Sequence, residues 1–118
     1  MSEILTYDNL VAGNEQLITE EPDIIAGGQG LLKRGTTLGM VTATGKLALL
    51  NSANTDGSQT IYGILGADTD TTNGDVSTFV YLTGEFNQAN VIFGGTDTYQ
   101  THKDTARTKG IFFKFIQP

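Results

Sequence analysis

Cysteine and tryptophan are both missing from this 118-residue chain. Without thiols there is no disulfide framework, no thiolate nucleophile and no cysteine-ligated zinc cluster. Charge of one sign is also scarce: seven Lys and Arg stand against thirteen Asp and Glu, for a formal net charge of -6. Nucleic-acid surfaces need clustered basic residues to displace counterions, so no nucleic-acid partner is expected. No apolar run approaches the roughly 20 residues that span a bilayer. The opening residues Met1 to Leu5 lack the basic and apolar regions of a secretory signal. The expectation is synthesis in the cytoplasm and no membrane partner.

Catalytic groups are thin as well. His102 is the only histidine, so any histidine-dependent chemistry must use it. It lies among Lys103 and Asp104, and the reading is a surface histidine on a charged helix. Serine occurs only at positions 2, 52, 58 and 77, and no Gly-x-Ser-x-Gly elbow exists. Asp68, Asp70 and Asp75, with Asn73, resemble a calcium loop only loosely. Counting from Asp68, Asn73 and Phe79 occupy the places where such a loop needs glycine and a bidentate glutamate. A solvated turn around Asn73-Gly74 is the better reading. No enzyme activity, cofactor or metal site is expected.

What the chain has in quantity is glycine, fifteen residues of it, set among threonine-rich apolar stretches. That composition favours short strands and tight turns. Ile24-Ile25-Ala26 and Leu31-Leu32 flank a glycine cluster. Leu38 to Val41 and Lys46 to Leu50 flank Thr44-Gly45 as a hairpin. Strands are expected at Thr60 to Leu65, at Val76 to Leu82, at Asn90 to Phe93 and at Ile111 to Ile116, with a bulge at Gly84. One helix is expected over Thr98 to Arg107, with Thr101 as N-cap and Gly110 as its stop. So many short strands read as a mainly β barrel or sandwich with one short helix.

The segment Gly27-Gly28-Gln29-Gly30 running into Lys33-Arg34 raises the question of a phosphate loop. Walker A needs Gly-Lys followed by Ser or Thr, and Lys33 instead sits between Leu32 and Arg34. The dinucleotide fingerprint fails too, because Lys33 occupies its third glycine position, and no helix N-terminus follows. The glycines read instead as a sharp turn where an arm ends and a β-domain begins. Lys33 and Arg34 then read as ordinary solvated or interface charges on a strand.

That arm is residues 1–23, and the body is residues 24–118. The arm has one glycine, an acidic end at Glu20-Glu21-Pro22-Asp23, and spaced apolar residues including Ile4, Leu5, Tyr7, Leu10 and Val11. A purely solvating tail would not need these. They either pack on their own domain, remain disordered, or order against a partner by adding a strand to its sheet edge.

An ordered set of pieces now resembles a known family. Gly27 to Gly39 is followed by Tyr62-Gly63-Ile64-Leu65, Ala67-Asp68, the turn Asp70-Thr71-Thr72, and Val80 to Asn87. This order and spacing is similar to that of the lambda-type bacteriophage head decoration proteins. The likeness runs over roughly residues 24 to 116, and Asp8 to Gly13 suits the arm. The resemblance implies a β-clip-type domain that forms a homotrimer on the exterior of the expanded head. There it would cap three-fold positions, clamp the phage major capsid protein and resist the pressure of packaged DNA. It favours the partner reading of the arm, with Ile4, Leu5, Tyr7, Leu10 and Val11 as shell contacts. Two other readings are a trimeric tail or fibre module, and a biotinyl or lipoyl carrier modified at Lys46. The carrier reading suffers from the flanks Gly45 and Leu47, where such domains place methionine, acidic or small residues.

Overall fold

The computed structural model describes residues 23–114. Among the described residues the body is mainly β, as its composition implies, with ten strands and one helix. Six strands form the main sheet: β1 (Asp23–Ile25), β3 (Thr37–Met40), β4 (Leu47–Leu49), β5 (Ile61–Leu65), β7 (Val76–Thr78) and β8 (Val80–Tyr81). Their order is β7-β1-β4-β3-β5-β8. The two edge strands are therefore consecutive in the chain, separated by Phe79 alone. Residues 76–78 pair with β1 at one edge, and residues 80–81 pair with β5 at the other. The Gly66 N–H donates to the Phe79 carbonyl at 2.9 Å, and the sheet is nearly closed into a barrel. Closure of this kind removes free edges. The continuous strand expected over Val76 to Leu82 is thus two strands serving opposite edges.

The hairpin forms as its pattern predicts. β3 and β4 pair antiparallel with Leu38 opposite Leu49 and Met40 opposite Leu47. Gly45 supplies the left-handed φ of 73° that the turn requires. Next to it, β3 passes so close to residue 58 that a Cβ on Gly39 would lie 2.6 Å from the Ser58 Cα. Only glycine permits that approach.

The remaining elements are β2 (Leu31–Leu32), β6 (Thr69–Asp70), β9 (Gly84–Asn87), α1 (Tyr99–Thr108) and β10 (Ile111–Lys114). β2 and β6 form a small antiparallel pair. β9 and β10 pair in parallel, so the chain must cross over between them, and α1 is that crossover. Thr98, not Thr101, is the N-cap of α1. Thr101 stands one turn further in, where its hydroxyl accepts the Thr98 N–H at 3.1 Å. Gly110, with φ 84°, ends the helix as expected. The strand expected at Asn90 to Phe93 is not one; Ile92 makes only an isolated bridge to Thr36.

The core has two parts. Ile25, Leu38, Leu47, Leu65 and Val80, one from each of five sheet strands, pack together with Leu32. Leu50, Ile61, Ile64, Phe86, Ala106 and Ile111 join the sheet to the β9–α1–β10 unit. β5 contributes to both, which makes it the central wall of the fold.

Candidate functional site

The glycine segment Ala26 to Gly30 shows how a sequence that resembles a ligand loop is used structurally. β1 lies before it and inside the sheet, so the segment is not a hinge between arm and body. The amides of residues 26–29 point at protein acceptors, with Ala26 N donating to the Leu47 carbonyl at 2.9 Å. Gly27 N donates to Asp75 Oδ1 at 2.8 Å, Gly28 N to the Thr71 carbonyl at 2.7 Å, and Gln29 N to Thr71 Oγ1 at 2.9 Å. Gln29 closes the arrangement: its Nε2 donates to the Ala26 carbonyl at 2.8 Å and its Oε1 accepts the Leu49 N–H at 2.9 Å. The amides of residues 26–29 are thus taken up by the protein itself and form no anion cradle.

Arg34 is likewise no solvated strand charge. It sits in a turn, and its Nη1 donates to the Gly66 carbonyl at 2.9 Å and to Tyr81 Oη at 2.7 Å. The guanidinium carbon is 5.4 Å from the Tyr81 ring centroid. Such a stacked, forked contact is specific to arginine.

The aspartates of the loosely calcium-like run act separately. Asp68 accepts the Arg34 N–H, Asp70 accepts Thr72 N and Oγ1, and Asp75 binds Lys46 and Gly27. The Lys46 ammonium, then the Gly27 amide, hold the Asp75 carboxyl below its ordinary range. Among the described residues no three His, Cys, Asp or Glu side chains group as metal ligands. Lys46, the lysine of the carrier reading, lies 2.6 Å from Asp75 rather than alone at a hairpin tip.

His102 is where the sequence reading is overturned. It is buried, not on the surface, and its ring stacks on Phe93 with centroids 5.7 Å apart. His102 and Ala106, four residues apart, form the buried face of α1. Nε2 lies 2.7 Å from Asp97 Oδ2, while Ser52 donates to Asp97 through both N and Oγ at 2.7 Å. A carboxylate only accepts, so Nε2 carries the proton. Burial raises the Asp97 pKa, but the His102 bond and then the Ser52 bonds outweigh it and leave the carboxyl below its usual range. The order is serine, aspartate, histidine. A hydrolytic triad instead places histidine between the other two, where it can take the hydroxyl proton. Here histidine and serine share one acceptor, so the arrangement clamps the residue-52 loop to the start of α1.

The exposed surface carries two features suited to contact. Ile24 on β1 and Phe79 at the barrel seam are exposed, as is Leu31 on β2. Ile24 stands opposite Ser77, two residues before Phe79, so these apolar groups flank the point where residues 1–22 join the body. The second is a groove between α1 and β10, lined by Tyr99, Lys103, Arg107, Phe112 and Lys114 among others. The expected shell-contact residues Ile4, Leu5, Tyr7, Leu10 and Val11 lie outside the described residues. Among the described residues no helix is long and apolar enough to cross a membrane.

Comparison with known proteins decides the family. The model of the bacteriophage lambda head decoration protein D family matches residues 2–111. The chain belongs to this family. No curated protein matches the chain. Head decoration proteins are structural proteins of the phage capsid, and family membership implies capsid binding and a place in the virion. The match begins at residue 2, so it takes in the N-terminal segment as well as the barrel. For a head decoration protein, the inward-facing amides, the clamped aspartate and the stacked arginine are the fittings of a rigid body.

Proposed function

We propose that this protein binds the exterior of the expanded phage head as a homotrimer at three-fold positions and stabilises the shell against the pressure of packaged DNA. The observation that carries this reading is the family match over residues 2–111. Residues 1–23 form an extended arm, and Ile4, Leu5, Tyr7, Leu10 and Val11 contact the major capsid protein. Exposed Ile24 and Phe79, beside the arm's root, support a partner at that end of the barrel, because each large apolar side chain gains about 1.5–3 kcal/mol on full burial. Three arms per trimer would add avidity without any strong single contact. The protein is made in the host cytoplasm and acts without catalysis or cofactor.

Deleting residues 2–20 tests the arm. The shortened protein should keep its thermal transition and its oligomeric state yet fail to co-sediment with expanded heads. Undiminished co-sedimentation would move the shell contact to the body.

A further inference from the structure

Asparagine is among the chemically labile residues. Seven occur in this chain, and Asn73 alone is followed by glycine. The others precede Leu, Glu, Ser, Thr, Gln or Val, whose side chains crowd the backbone nitrogen next to the asparagine. Asn73-Gly74 forms the tip of the turn between β6 and β7, and residues 72–75 are all exposed. A Cβ placed on Gly74 would meet nothing within 4 Å, so the tip stands open. Among the described residues nothing hydrogen-bonds the Asn73 side chain. The Gly74 N–H has only a long bond, 3.4 Å to the Thr71 carbonyl. By contrast, Asn51 and Asn87 accept the Ala53 and Ala89 N–H at 2.9 and 3.1 Å, and Asn54 Nδ2 donates to Ser58 Oγ at 2.8 Å.

Both flanks of this tip are anchored. Thr71 is buried, and it takes the Gly28 N–H on its carbonyl at 2.7 Å and the Gln29 N–H on its hydroxyl at 2.9 Å. Asp75 accepts the Gly27 N–H at 2.8 Å and meets the Lys46 ammonium at 2.6 Å. A Cβ on Gly27 would lie 2.5 Å from the Gly74 carbonyl carbon, so the backbone after Asn73 lies against residue 27. The pair Asp56-Gly57 has related chemistry and is guarded. The Ser58 hydroxyl, then the Ser58 amide, hold the Asp56 carboxyl below its ordinary range, which keeps it an anion that a nucleophile avoids. The Gly57 N–H is occupied as well, donating to Gln59 Oε1 at 2.8 Å.

We propose that Asn73-Gly74 is a site of spontaneous deamidation, at which Asn73 becomes an isoaspartyl link and the edge where β1 and β7 pair is loosened. The Gly74 nitrogen gives up its proton to hydroxide and attacks Asn73 Cγ. The bond from Cγ to the side-chain nitrogen breaks, and that nitrogen leaves as ammonia after taking a proton from water. A second water opens the five-membered imide that remains. Opening at the former main-chain carbonyl routes the chain through Cγ and adds one carbon to the backbone; opening at Cγ gives ordinary aspartate. The net change consumes one water and releases one ammonia, with no oxidant or reductant. The added carbon falls between the anchors at Thr71 and Asp75. The Gly27–Asp75 bond, next to the Ile25–Val76 pair of β1 and β7, is the contact most directly displaced. Virion proteins are not renewed after assembly, so such a change accumulates with the age of the particle. The chemistry itself is independent of shell binding.

The full chain is incubated in neutral buffer beside a capped synthetic peptide of residues 70–77. Digestion and mass spectrometry should show the Asn73 fragment gaining the mass that separates OH from NH2, and an isoaspartyl methyltransferase should label that fragment. The folded chain should convert at no less than about one tenth of the peptide's rate, a barrier difference of about 1.4 kcal/mol at most. Asn73→Gln, an exposed change that disfavours the five-membered ring, should abolish the gain at this position. The converted fraction carries one more negative charge, so anion exchange separates it. Its Gly27 amide should exchange hydrogen faster than in fresh protein, because local opening sets that rate. Asn73→Asp adds the charge without the extra carbon and should leave Gly27 exchange unchanged. Conversion slower than about one tenth of the peptide's rate overturns the proposal. So does unaltered Gly27 exchange in the converted fraction, or equal acceleration in Asn73→Asp.

Discussion

Replacing Asp97 with alanine removes the acceptor of three donors at once: His102 Nε2, Ser52 N and Ser52 Oγ. The two ends of this clamp differ. His102 is buried, with a side chain 5% exposed, and its N–H would be left without a partner. An orphaned buried donor costs about 1–3 kcal/mol. Ser52 is exposed, so water replaces the lost acceptor there and the added cost is about 0.5–1 kcal/mol. The sum is about 3 kcal/mol, read from urea or thermal unfolding at equal protein concentration, because any assembly links stability to concentration. Asp97→Asn should fall between, since one amide oxygen can keep a Ser52 bond. The pH dependence gives a second signature. The Asp97 carboxyl is held below its ordinary value of 3.8 in the folded protein, so the unfolded chain takes up the proton first as pH falls. Its stabilisation is therefore complete above the unfolded value and is lost as pH drops through the folded one. The gap between wild type and Asp97→Ala should close below pH 3.8. A loss under about 0.5 kcal/mol, the range of an unremarkable surface change, refutes the clamp.

Two further substitutions probe the frame. Gly39→Ala would push a methyl against the Ser58 backbone and should cost about 1–3 kcal/mol by overpacking, measured by chemical unfolding; a neutral result contradicts the close approach. Gln29→Ala strips the Leu49 N–H of its acceptor and frees the Ala26 carbonyl; the expected loss is about 1–3 kcal/mol, with faster hydrogen exchange at Leu49, and unchanged exchange there would count against the role given to Gln29.

The parts legible in the sequence are those fixed by local chemistry. The hairpin from Leu38 to Leu49 announces itself by two apolar runs around Thr44-Gly45, and α1 by a polar stretch ending at Gly110. What could not be read depends on contacts distant in the chain. Nothing local marks Phe79 as the residue where one strand becomes two edges of a barrel. The parallel pairing of β9 with β10 is invisible until α1 is known to cross between them. Ile92 sits in an apolar run, yet makes only an isolated bridge, bonded to Gly35 and Thr37 on either side of Thr36. His102 has charged neighbours in sequence, but helical geometry turns it to the same side as Ala106; that four-residue spacing, ahead of Ile111, was the available signal. Asp97 and Ser52, which complete its surroundings, are 45 residues apart. Similarly, Arg34 looks like a surface charge until Tyr81 is placed beside it.

The central claim is that this chain assembles with itself and then on a phage shell. Light scattering of the purified protein, alone and with expanded heads, tests both halves together. The account predicts a homotrimer that leaves the free fraction and raises the mass of expanded heads, up to saturation at their three-fold positions. A monomer whose scattering is indifferent to the heads would contradict it.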